Sequence, residues 1–150
     1  MPVITTDILL QQVKRDDAYE WLSDFHNHRQ FLYTTFSIVS DSELSNETLQ
    51  ISFEGGLKKN RPMSYSLIER DDNHGGRRIK VKVTGKRTTG IIKYSLRTMK
   101  PSLNTILTIH MDYESNGFVD WLLNKIALQQ DLEEHWKRVA SEIAKMIPKS

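Results

Sequence analysis

Five histidines, five tyrosines and a line of polar residues near the C-terminus hold most of the chemical potential of this 150-residue chain. His26 and His28 stand two apart, a spacing that does not put both on one helix face, and no Cys or carboxylate pattern completes a metal site around them. They read as surface histidines near a helix end, and neither a metal nor a cofactor is expected. The chain has no Cys, which removes disulfides, thiolate ligands and a Cys nucleophile. It also has no G-x-S-x-G, no Gly-rich phosphate loop and no H-E-x-x-H, so no catalytic residue is assigned. His110 falls on the outward parity of its strand, and Glu134 and His135 lie off the apolar stripe of their helix and read as solvated.

Two features point to binding. Tyr65 and Tyr94 fall at inward positions of alternating segments, where a hydroxyl needs a partner. A ligand carbonyl or hydroxyl would supply one, and so would a neighbouring side chain or a trapped water. Lys125, Gln129 and Glu133, spaced i, i+4, i+8, form a polar line inside the apolar stripe of the last helix. Such a line suits a water-filled or ligand-filled space. Lys125 and Glu133 also offer an acid/base pair about two turns apart.

The elements that position these residues follow from periodicity. Residues 3–13 read as a strand, Asp16 or Asp17 as the N-cap of a short helix, and Phe25 to Leu32 as a second short helix. From Tyr33 the period is two. Phe36 and Ile38 precede a turn at Asp41-Ser42, and Leu49, Ile51 and Phe53 form the next alternation. Met63, Tyr65 and Leu67 follow, and the turn Asp71 to Gly76 leads to Ile79, Val81 and Val83, then Ile92, Tyr94 and Leu96. The last strand carries Leu107, Ile109 and Met111 inward. Short connections favour antiparallel pairs. A helical pattern then runs without Pro or Gly from Phe118 to Ile147, about 45 Å at 1.5 Å per residue. Its first half is apolar nearly all round, with Val119, Leu123 and Ala127 outside the main arc. The expectation is one α+β domain over residues 1–150.

Net charge is +2, but it is unevenly spread. Residues 54–100 carry 13 Lys/Arg against 4 Asp/Glu. Arg78, Lys80 and Lys82 share the outward face with Lys93 and Arg97. A solvated sheet face is the plain account, and weak contact with an anionic membrane surface is the functional one. Outward positions lack aromatics for stacking, which argues against nucleic acid. No apolar run reaches the length of a spanning helix and the N-terminus has no signal-peptide pattern, so a cytoplasmic protein is expected.

The order of elements resembles the START/polyketide-cyclase (SRPBCC, helix-grip) superfamily. The closest local match is Asp17 to Phe25, with Ala18, Tyr19, Leu22 and Asp24 at pattern positions, followed by Phe31-Leu32. The resemblance implies a sheet of six or seven strands curved round the C-terminal helix, with a cavity between them for a lipid, quinone or polyketide. It carries over no catalytic residue. The expected cavity lining is Phe53, Tyr65, Leu67, Tyr94, Leu96, Leu107 and Ile109 from the sheet, and Leu122, Lys125, Ile126 and Gln129 from the helix. Binding of a small hydrophobic or amphipathic ligand is the leading expectation. A cyclase/dehydrase-type enzyme using the same cavity, or a protein- or membrane-interaction module, is the alternative.

Overall fold

A computed structural model describes residues 3–33, 37–45, 48–53, 61–71, 77–85, 88–99, 104–115 and 127–150. Strand β1 (Val3–Leu10) is followed by α1 (Arg15–Ser23) and α2 (Phe25–Tyr33). Six strands come next: β2 (Ser37–Ser45), β3 (Thr48–Phe53), β4 (Arg61–Asp71), β5 (Arg77–Gly85), β6 (Thr88–Met99) and β7 (Asn104–Ser115). The chain ends in α3 (Ala127–Met146). The strands form one antiparallel sheet in the order β1-β7-β6-β5-β4-β3-β2. This is the helix-grip arrangement.

The topology explains why two helices lie between β1 and β2. These consecutive strands are at opposite edges of the sheet, so the connection must cross it. Helix α1 packs on β5, β6 and β7, while α2 reaches β2 and α3. Helix α3 lies along β1, with smaller contacts to β7 and α2. Its buried residues Trp136, Val139, Ala140, Ile143 and Ile147 recur at helical spacing and meet the inward residues of the sheet in one core. Each large side chain so buried contributes about 1.5–3 kcal/mol of transfer free energy.

Several local expectations need correction. Strand β1 stops at Leu10, because the chain turns at Gln11-Gln12 and Gln12 adopts φ 59°. Lys14, not Asp16 or Asp17, is the residue before α1, and it makes no side-chain capping bond. Both aspartates sit in the first helical turn, where a negative charge meets the positive end of the helix dipole. Asp41-Ser42 is not a turn but lies inside β2, and the turn signal shows instead as shifts in the β2–β3 pairing. A bulge also interrupts β4 after Leu67. It leaves Leu67 half-buried and Ile68 exposed, and it returns Arg70 to register with the inward Ile79.

Candidate functional site

The C-terminal end of α1 poses a physical problem that builds the site. A helix ends with carbonyls that have no partner within the helix. The carbonyl of Trp21 accepts from the Asp24 backbone N–H at 3.3 Å and from Asn27 Nδ2 at 2.8 Å. The carbonyl of Ser23 accepts from an Arg70 guanidinium nitrogen at 2.8 Å, which also places a cation at the negative end of the helix. The carbonyl of Leu22 accepts from His28 Nε2 at 2.5 Å. Asp24 begins the next helix: its carboxylate accepts from the backbone N–H of His26 at 3.0 Å, the bond of an N-cap. Leu22-Ser23-Asp24 is thus a helix stop followed by a helix start.

His28 is fully buried, against the expectation of a surface histidine. It lies one turn before Phe31 and Leu32 on the inner face of α2, and both of these are fully buried too. That i, i+3, i+4 spacing was the available signal; comparing His28 only with His26 concealed it. His26 is exposed, as expected.

From His28 a hydrogen-bonded chain runs into the sheet. Nδ1 of His28 is 2.7 Å from Tyr65 Oη, and Tyr65 Oη is 2.7 Å from Tyr94 Oη. Phe31 encloses the group, its ring centroid 4.9 Å from that of His28 and 6.2 Å from that of Tyr94. The His28 ring meets Tyr94 edge-on at 5.3 Å. Burial lowers the pKa of His28 from 6.5 to about 4, so the imidazole is neutral near pH 7. Burial raises both tyrosines above their ordinary value. At neutral pH the imidazole and both phenols are therefore uncharged, and the chain is one of neutral hydrogen bonds.

The direction of each bond can be assigned. A carbonyl only accepts, so Nε2 of His28 carries the proton that goes to Leu22. In the neutral ring Nδ1 is then an acceptor, and Tyr65 donates to it. Tyr65 has spent its one proton, so Tyr94 donates to Tyr65.

Among the residues expected to line a cavity, the structure brings Tyr65, Tyr94, Leu96, Leu107 and Ile109 together in the core, each at most 1% exposed. The two tyrosine hydroxyls meet neighbouring side chains. Leu67 lies at the rim of the core. Leu122, Lys125 and Ile126 lie outside the described residues, as do the side chains of Phe53 and Gln129. Glu133 is half-buried. His110 is half-exposed as its parity predicts, 3.1 Å from Thr5 Oγ1 and 3.4 Å from an Asp112 carboxylate oxygen. A cleft of about 500 Å³ opens elsewhere, where His26, Arg29 and Gln30 of α2 face Met146 at the end of α3.

No family model and no curated protein matches the chain by sequence. Solved structures match it in shape. The solution structure of KanY protein has a TM-score of 0.68 at 9% identity, over 97% of each chain. Hypothetical protein jhp0584 of Helicobacter pylori has a TM-score of 0.67 at 6% identity, covering 98% of this chain and 88% of its own. A point mutant of norcoclaurine synthase from Thalictrum, in complex with a transition-state analogue, gives 0.58 at 10%, over 96% of this chain and 94% of the other. At such identities the likeness is one of fold, and it places this chain among helix-grip structures of diverse sequence.

Proposed function

We propose that this protein binds a small, largely apolar molecule between the sheet and the helices, with the His28–Tyr65–Tyr94 chain as its polar anchor. The observation that supports this reading is the chain itself, three polar side chains fully buried in an otherwise apolar core. Apolar residues of similar shape would fill that space without hydrogen bonds to satisfy. The fold also holds a small molecule in the norcoclaurine synthase complex. Both tyrosines are fully covered here, so a ligand reaches Tyr94 by displacing side chains packed over it, and the Phe31 ring, 6.2 Å away, is one of them. Binding of fluorescent fatty acids and a panel of aromatic compounds is expected, with a rise in melting temperature and competition between ligands. Phe31→Ala should bind faster than the parent chain. Absence of any displacement or thermal shift across the panel would sink the reading.

A second contact is favoured by the outer sheet face. The register sets Lys80 directly opposite Lys93, with Arg78, Lys82 and Arg97 on the same face and Ile68 and Ile91 exposed, at 49% and 38%. Like charges facing each other across a strand pair are destabilising, and an anionic lipid surface relieves them. Vesicles containing phosphatidylserine should bind weakly and release at high salt, whereas neutral vesicles should not bind.

A further inference from the structure

We infer that the buried anchor selects ligands that donate a hydrogen bond, a hydroxyl or an amine, over ligands that can only accept one. The inference rests on the binding reading above and adds the chemical class of the polar group. Its basis is that the hydrogen-bond chain has a fixed direction. Leu22 O can only accept, and that requirement propagates outward: His28 donates to Leu22, Tyr65 donates to His28, and Tyr94 donates to Tyr65. Each hydroxyl uses its single proton on the next member toward α1. Tyr94 Oη therefore has no proton left and presents only lone pairs at the far end. Among the described residues Tyr65 is its one hydrogen-bond partner, and it is the acceptor in that bond.

A buried oxygen without a donor is a cost that a ligand N–H or O–H recovers. A ketone, an ether or a carboxylate would set oxygen against oxygen at the same point. To be accommodated, it would have to take the Tyr94 proton and so break the bond to Tyr65, or reverse all three bonds and turn a bare His28 Nε2 toward the Leu22 carbonyl. The selectivity of an interior hydroxyl is thus set by the end of a helix two side chains away.

Three naphthalenes of similar size test this: 2-naphthol, which donates, 2-methoxynaphthalene, which cannot, and 2-acetylnaphthalene, which only accepts. Calorimetry should show 2-naphthol bound about three- to tenfold more tightly than the other two, the span of one net hydrogen bond. Tyr94→Phe should bring the three to equal affinity. Equal or tighter binding of the ether or ketone by the parent protein overturns the inference and leaves the binding reading intact. Failure of all three to bind, along with the fatty acids, overturns both. Nitrogen NMR of the ligand-free parent protein examines the direction separately. It should show His28 as the Nε2–H tautomer, and an Nδ1–H tautomer would refute the chain as drawn.

Discussion

At the scale of single residues, the middle member of a hydrogen-bonded chain should matter most. Tyr65 bonds to both His28 and Tyr94, whereas Tyr94 bonds to Tyr65. Tyr65→Phe removes both the bond to His28 Nδ1 and the bond from Tyr94, two buried hydrogen bonds at about 1–3 kcal/mol each. Tyr94→Phe leaves the Tyr65–His28 bond in place and should cost about 1 kcal/mol. Urea titration should therefore rank Tyr65→Phe well below Tyr94→Phe in stability. The same burial makes His28 a source of pH dependence. Its pKa is lowered in the folded state, from 6.5 to about 4. Between these values the unfolded chain takes up a proton that the folded chain refuses, so stability falls as pH drops from about 6.5 toward 4 and is fully present above 6.5. The size is about 3 kcal/mol. His28→Gln should flatten that part of the urea-midpoint profile. A profile unchanged by this substitution would show that other groups set it.

At the scale of elements, the junction between α1 and α2 joins two physical requirements at adjacent residues. One helix must satisfy its last carbonyls and the next its first N–H groups. Asn27, His28 and Arg70 serve the first requirement and Asp24 the second. Because Asp24 is exposed, its contribution is separable from core packing. Asp24→Ala should lower stability by about 1 kcal/mol, and Asp24→Asn, which still caps, should recover most of it. Equal loss in both variants would assign the effect to charge rather than to the cap. Arg70 comes to this junction through the β4 bulge, which restores inward register after Leu67. A strand irregularity thus supports a helix end in another layer.

At the scale of the whole molecule, the sheet has two faces under different demands. The inner face is close-packed around Ile79, Val81, Ile92, Leu96 and Leu107. The outer face concentrates charge of one sign on β5 and β6, and its one described lysine ion pair, Lys80 with Glu69 at 3.3 Å, reaches sideways to β4. Lys93→Glu converts the Lys80–Lys93 repulsion into attraction, so it should raise stability by a few tenths of a kcal/mol, up to about 1. It should also weaken attachment to phosphatidylserine vesicles. A gain in stability with a loss of attachment is the signature of a face kept for contact. Unchanged attachment would return the face to simple solvation.

What local pattern determines was readable in the chain. Period-two alternation at residues 79–83 and 92–96 named the inward residues, because successive strand side chains take opposite faces. The stripe Trp136, Val139, Ala140, Ile143 named the buried face of α3 by the same logic at helical spacing. The same period-two alternation marks Tyr65 and Tyr94 as inward hydroxyls in need of partners, but it does not pair them with each other. Residues 28, 65 and 94 come from a helix and two strands, with β5 between β4 and β6 in the sheet. Only the packing of α2 across that sheet brings them together. The spacing of His28 with Phe31 and Leu32 marks it as an inward residue of α2, but no composition or spacing rule states that its ring will meet the Leu22 carbonyl at the end of another helix. Periodicity records the side of an element on which a residue lies. Which groups meet there, and which way their protons point, is decided when the layers close.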